Sequence, residues 1–115
     1  MTLQEIIDQL NLVLLTDPND FSAMVPSGGY ASDMLSCVMT GAPHRGIWVT
    51  LQAHGNIVAV GALAELSAII ITEGIVPDQD TISKANHEGV TLLSTGMKTY
   101  EVVGRLWELG LKNNS

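Results

Sequence analysis

The sequence predicts an α/β fold, a mostly parallel sheet of about four to five strands with flanking helices. Three observations carry that reading. From Gly46 onward, β-type runs alternate with helical runs three times, giving three consecutive β-α units in the C-terminal two thirds. Such alternation implies parallel strands joined by right-handed crossovers. Two strand runs, Ile69-Ile70-Ile71 and Leu92-Leu93, are continuously apolar, as in strands covered on both faces. Glu73-Gly74, Pro77-Asp78, Gly89 and Gly110 punctuate the runs where turns and caps are needed.

The elements follow in order. Thr2 and Glu5 have capping-box spacing and open a helix whose apolar face is Leu3, Ile6, Ile7 and Leu10. Leu12 to Leu15 reads as a short strand, and Asp17-Pro18-Asn19-Asp20 breaks it. Phe21 to Val25 reads as another short strand and Pro26-Ser27-Gly28-Gly29 as a loop. Ser32 is placed to cap a helix with Met34, Leu35, Val38 and Met39 on its apolar face, ended by Gly41-Ala42-Pro43. Asp33 then complements the dipole of that helix. The regular units are strand 47–51 with helix 56–66, strand 68–72 with helix 79–87, and strand 90–93 with helix 97–109. Gly110 suits the last C-terminal cap.

One hundred and fifteen residues predict one domain, spanning 1–115, and 46% hydrophobic residues argue against disorder. Five Lys and Arg against twelve Asp and Glu leave a net charge of −7. That balance repels phosphate backbones and anionic lipids, and the five cations are scattered, so nucleic acid and membrane surfaces are excluded as partners. Cys37 is the only cysteine, so no internal disulfide forms. The first residues lack the pattern of a signal peptide, and the apolar stretch Ile57 to Ile71 is broken by Glu65 and Ser67. A cytoplasmic location is expected.

Parallel strands end on one edge of their sheet, where helix N-termini present unpaired N–H groups. Gln52, His54 and Asn56 occupy the first such junction. Thr72, Glu73 and Gly74 reach the same edge from the second unit, and Ser94, Thr95 and Gly96 from the third. The candidate ligand-binding set is Gln52, His54, Asn56, Thr72, Gly74 and Thr95. Tyr30 joins it from Gly28-Gly29-Tyr30, where glycines allow close backbone approach and the phenol donates. Each has a structural alternative. Asn56 and Thr95 suit the caps of their own helices, Gly74 a left-handed turn, and His54 a surface or carbonyl-bound position. Glu73 suits a solvated loop, and Tyr30 a half-buried place in a tight loop.

Chemical motifs are sparse. Lys98-Thr99 offers the last pair of a phosphate-binding P-loop, but Met97 precedes it and the glycine register is missing. The dinucleotide glycine fingerprint and the nucleophile elbow are absent. His44, His54, His87 and Cys37 lack metal-ligand spacing, and no cofactor is implied. Cys37, in mid-helix, suits burial better than reactivity.

Three stretches resemble the DRTGG domain family: Gly29-Tyr30-Ala31-Ser32-Asp33-Met34-Leu35-Ser36, Trp48 through Val60, and Ala68 through Gly74 on to Pro77-Asp78. The resemblance runs from about residue 3 to residue 111 and is nearest to short, free-standing members of anaerobic bacteria, some near iron hydrogenase components. Relatives occur within CBS-domain-containing pyrophosphatases and beside phosphotransacetylase domains, and the N-terminal domain of HPr kinase/phosphorylase is similar in fold. The motif that names the family departs here in both halves. Its Asp-Arg pair falls around Ala53-His54-Gly55, which has neither residue, and its Thr-Gly-Gly falls at Thr72-Glu73-Gly74. An anion-binding role for the Arg does not carry over. The resemblance implies a non-catalytic accessory or regulatory module that tends to form a homodimer. Some relatives are labelled serine kinases; without a P-loop, that label is rejected.

Three functions therefore compete. The first is a regulatory module binding a small polar, nucleotide-like ligand at the strand ends, with His54 making affinity depend on pH near neutrality. The second is a homodimeric scaffold that docks on a partner enzyme, such as a hydrogenase or other redox complex. Met24, Met34, Met39 and Met97 would supply its adaptable contacts, with Trp107 either at that surface or anchoring the last helix in the core. The third is an enzyme with His54 as general base and Glu73 as its partner.

Overall fold

The computed structural model of the chain describes residues 1–113. Among them, five strands form one sheet in the order β1-β5-β4-β3-β2: β1 Val13–Leu14, β2 Gly29–Ala31, β3 Ile47–Thr50, β4 Ala68–Ile71 and β5 Leu92–Ser94. β2, β3, β4 and β5 run parallel, and β1 closes the β5 side antiparallel. The mostly parallel α/β sheet is thus present, with a β-α unit more than the alternation from Gly46 implies. That unit is β2 followed by α2, Leu35–Gly41.

Helix placement follows from the connections. α2, α3 (Asn56–Leu63) and α4 (Gln79–Glu88) each join neighbouring parallel strands. Crossovers of one hand put all three on the same face. There Val38, Ile57, Val58 and Ala85 bury Trp48, Ile69, Ile71 and Leu92. Among the described residues no strand follows β5, and α5 (Thr99–Glu108) turns to the other face beside α1 (Leu3–Leu10). Leu3, Ile6, Val102 and Leu106 there cover Ile47, Val49, Ile70 and Leu93. Alternate strand residues feed opposite cores, which is why Ile69-Ile70-Ile71 is apolar throughout. Burying each such side chain contributes about 1.5–3 kcal/mol.

The capping box of α1 forms as its spacing predicts. Glu5 N–H donates to Thr2 Oγ1 at 3.1 Å, and Thr2 N–H donates to Glu5 Oε1 at 3.0 Å. The Thr2 N–H, and after it the Thr2 hydroxyl, donate to the Glu5 carboxylate and hold it below its usual range.

Several elements depart from the sequence reading. Phe21–Ala23 is a 3-10 turn, not a strand, because Phe21 alone turns into the α1–α5 core. Gly29 and Tyr30, read as loop, begin an edge strand, Gly29–Ala31, that pairs with Ile47–Val49. α2 begins at Leu35, because Ser32 Oγ accepts from Met34 N–H at 3.0 Å and holds a turn before the helix. Met34 and Met39 are exposed, and only Val38 of the expected apolar face is buried. α3 stops at Leu63, since Glu65 adopts a left-handed backbone. β5 sits later than 90–93, with Val90 N–H tied to Ala85 O after the helix ends. Trp107 is 59% exposed, so it does not anchor α5 in the core.

Candidate functional site

The C-terminal ends of β3, β4 and β5 meet at one rim, and their loops are tied to one another. Thr72 N–H donates to Thr50 O at 2.9 Å, and Thr95 N–H to Ile71 O at 3.0 Å. Glu73 N–H donates to Met97 O at 2.8 Å, and Gly74 N–H to Thr95 O at 3.0 Å. Thr72 is fully buried; its hydroxyl lies 3.3 Å from Thr50 O and 2.6 Å from Thr99 Oγ1. Among the described residues, no buried side-chain nitrogen or oxygen lacks a hydrogen-bond partner.

Glu73 is the main departure from expectation here. Its side chain is no solvated loop group. The carboxylate accepts from Thr99 N–H at 2.7 Å and meets Lys98 Nζ at 3.4 Å. It therefore caps α5 from a different loop, a service neither Lys98 nor Thr95 performs. The Thr99 N–H bond, helped by Lys98, holds the Glu73 carboxyl below its usual range against the opposing effect of desolvation. Glu73 and Gly74 have φ of 65° and 74°, the left-handed region that favours glycine. Glutamate is tolerated at the first position because its side chain satisfies a helix N-terminus there.

Asp33 is a second departure. Rather than complementing the α2 dipole, its Oδ1 accepts from Thr50 Oγ1 at 2.7 Å and from Leu51 N–H at 2.9 Å. Gln52 Nε2 donates to Asp33 O at 3.2 Å, and Gln52 N–H to Thr50 Oγ1 at 3.1 Å. The loop after β2 is thereby fastened to the end of β3.

His54 and Asn56 remain exposed at this rim. Asn56 does not cap α3; Gly55 holds that position and has no side chain to offer. Instead Asn56 N–H donates to His54 Nδ1 at 3.3 Å, and Ile57 N–H to His54 O at 3.0 Å. An Nδ1 that accepts leaves the proton of neutral imidazole on Nε2, so His54 presents a donor outward. Asp78 caps α4 by accepting from Thr81 N–H at 2.9 Å. That bond holds the Asp78 carboxyl below its usual range, with a smaller contribution from nearby His54.

The residues predicted for the site thus divide. Gln52, His54, Asn56, Gly74 and Thr95 lie on the loops of the rim, and Thr72 lies buried beneath them. Thr95 Oγ1 accepts from Met97 N–H at 3.1 Å, holding its own loop rather than capping α5. Tyr30 is not brought to the rim. It pairs with Trp48, two residues short of the strand end, and its ring lies against α2. A Cβ at Gly41 would come within 2.7 Å of the Tyr30 hydroxyl, so that glycine makes room for the ring. His54 and Glu73 do not form an acid–base pair, because Glu73 is committed to Thr99 and Lys98 and His54 Nδ1 to Asn56. Asp33 and Asp78, which sequence reasoning left out of the site, join its framework. Asp78 was legible from its spacing to Thr81; the partners of Asp33 are distant in sequence and gave no signal.

No protein-family model and no curated protein matches the chain. Among solved structures it is similar to the CBS and DRTGG domains of the regulatory region of Clostridium perfringens pyrophosphatase, crystallised with the activator diadenosine tetraphosphate. The TM-score is 0.74 at 17% identity, covering 90% of this chain and 44% of that one. The likeness supports a DRTGG-like fold. This chain spans less than half the length of that relative.

Proposed function

We propose that the chain is a non-catalytic regulatory or accessory module that binds a small polar, nucleotide-like ligand at the rim. The observation that carries this is the presentation of His54: it is exposed, its Nδ1 is fixed by the Asn56 N–H and its Nε2 is left to donate, with exposed Asn56 beside it and Gln52 bonded to Asp33 O behind. Gly74 and Thr95 flank them, and Thr72 positions the loops from below. The likeness to a regulatory region crystallised with a nucleotide activator supports the same reading. Asp33, Glu73 and Asp78 make the rim acidic, with Lys98 as the nearby cation. Recognition therefore rests on hydrogen bonds to base and sugar more than on charge pairing with phosphate. With a lone cysteine, the module is assigned to the cytoplasm.

Thermal shift against a panel of nucleosides, nucleotides and dinucleoside polyphosphates tests this. A ligand at 100 times its Kd adds roughly 2.7 kcal/mol of stability. The expected result is a shift with at least one member that disappears in His54→Ala. No shift with any member at millimolar concentration removes the nucleotide reading. The scaffold reading draws on exposed Met34 and Met39, which offer adaptable apolar contacts to a partner enzyme, while Met24 and Met97 pack on the core.

A further inference from the structure

On the α1–α5 face α5 packs on β3 rather than on β2. Beside it a groove of about 160 Å³ is lined by Ala31, Val49, Val103, Leu106, Trp107 and Leu111. Its size suits a protein side chain; pockets for drug-sized ligands run to roughly 300–1,000 Å³. Tyr30 borders the groove too, although its ring lies on the other face against α2. Tyr30 therefore contributes its backbone, and the groove opens onto the strand edge. That edge is unpaired. Ile47 N–H donates to Gly28 O and Ser32 N–H to Val49 O, so by strand alternation Gly29 and Ala31 turn their backbone groups away from β3. Asn113 Oδ1 takes the Gly29 N–H at 2.8 Å, as the carbonyl of a neighbouring strand would. Among the described residues, none takes the N–H or the C=O of Ala31.

A cation stands at the Asn113 end. Lys112 Nζ lies 5.1 Å from the centroid of the Trp107 ring. Among the described residues no carboxylate lines the groove: Glu101 pairs with Arg105, and Glu108 lies beside Gln9 and Leu10 on the α1 side. We propose that this edge binds the free C-terminus of a partner protein, running antiparallel to β2 and ending in a large apolar residue opposite Ala31. In an antiparallel pair that last residue gives its N–H to Ala31 O and takes the Ala31 N–H on its carboxylate. Its side chain falls on the same face as the Ala31 methyl, into the groove against Trp107. The bound chain stops there, because Asn113 already fills the place opposite Gly29. A terminal carboxylate suits that stop. Its second oxygen lies toward the Asn113 Nδ2 group and the Lys112 ammonium, both donors. The rim at the strand ends takes no part, so this site stands or falls apart from the nucleotide reading.

Titration of the isotopically labelled chain with acetyl-Gly-Ser-Thr-Ser-Val-X peptides, X being Leu, Ile, Met or Phe, tests this. Each peptide is made with a free and with an amidated C-terminus. The expected result is saturable amide shifts at residues 29–32 and 107–113 with at least one free acid. Its amide, and the free acid on Lys112→Glu, should bind with a Kd about tenfold or more higher, since each loses a charge-assisted contact. Lys112 is exposed, so its variant should keep the wild-type circular dichroism. No saturable shift with any free acid at millimolar concentration, equal affinity for acid and amide, or indifference to Lys112→Glu overturns the proposal.

Discussion

At the ends of β3, β4 and β5, hydroxyls, carboxylates and backbone amides are bound to the loops of neighbouring strands. Beside β2, apolar side chains and strand groups face outward. Asp33, Thr72 and Glu73 each join two loops, and Gln52 adds a bond to Asp33 O, so the rim is rigid and polar, with His54 and Asn56 displayed on top. The groove next to Trp107 is apolar and shallow. The contrast teaches that a cluster of polar residues is not thereby a set of free ligand groups. Counting hydrogen-bond partners separates those that build the rim from those that present it.

The widest expected gap separates the two tryptophans. Trp48 is fully buried and donates its indole N–H to Ser32 O at 2.7 Å. Trp48→Ala should cost about 3–5 kcal/mol in urea unfolding. Trp107→Ala should fall within about 0.5 kcal/mol in the monomer, as surface substitutions do. Equal costs would erase the distinction between core and open face.

Thr72→Val tests the rim more finely. The buried methyl is kept, a second methyl replaces the hydroxyl, and the bridge to Thr50 and Thr99 is lost. A destabilisation of about 1–2 kcal/mol is expected, and a neutral result would deny that the bridge contributes to stability.

Glu73 sharpens the comparison through pH. Its carboxyl is held low chiefly by Thr99 N–H, so the folded pKa lies below the unfolded one. The stability it contributes is present above the unfolded value, 4.5, and is lost as pH falls through the folded value. Glu73→Gln should flatten the acid limb of the stability profile in that window and leave the limb above neutrality unchanged. Glu73→Gly should regain backbone freedom at the left-handed position while losing the cap. An acid limb identical in all three proteins would contradict the capping role.

The smallest stability effect is expected at His54. Its ring is exposed, so His54→Ala should change unfolding free energy by less than about 0.5 kcal/mol. A large loss would make the imidazole part of the rim's framework rather than a displayed group.

The sequence made the parallel half readable because apolar runs of the right length alternate there between turn residues. Ile69-Ile70-Ile71 and the Asp78 start of α4 could be placed from local pattern alone. β2 escaped because three residues, two of them small, carry no alternation, and their strand character comes from pairing with Ile47–Val49. Phe21 misled because one buried aromatic looks the same at the head of a strand or a 3-10 turn. The positions of Gln52, His54, Asn56, Gly74 and Thr95 at strand ends were legible. The commitment of Thr72 and Glu73 to Thr99 was not, since nothing local marks a bond across 26 or 27 residues.

The measurement that tests the account most directly is a titration of the isotopically labelled chain, followed by its amide resonances, with dinucleoside polyphosphates and their component nucleotides. Binding at the rim predicts saturable shifts concentrated at residues 52–56, 73–74 and 95–96, with β2 and α5 beyond its first turn unmoved. Saturable shifts confined to the Trp107 groove, or none at millimolar ligand, would contradict it.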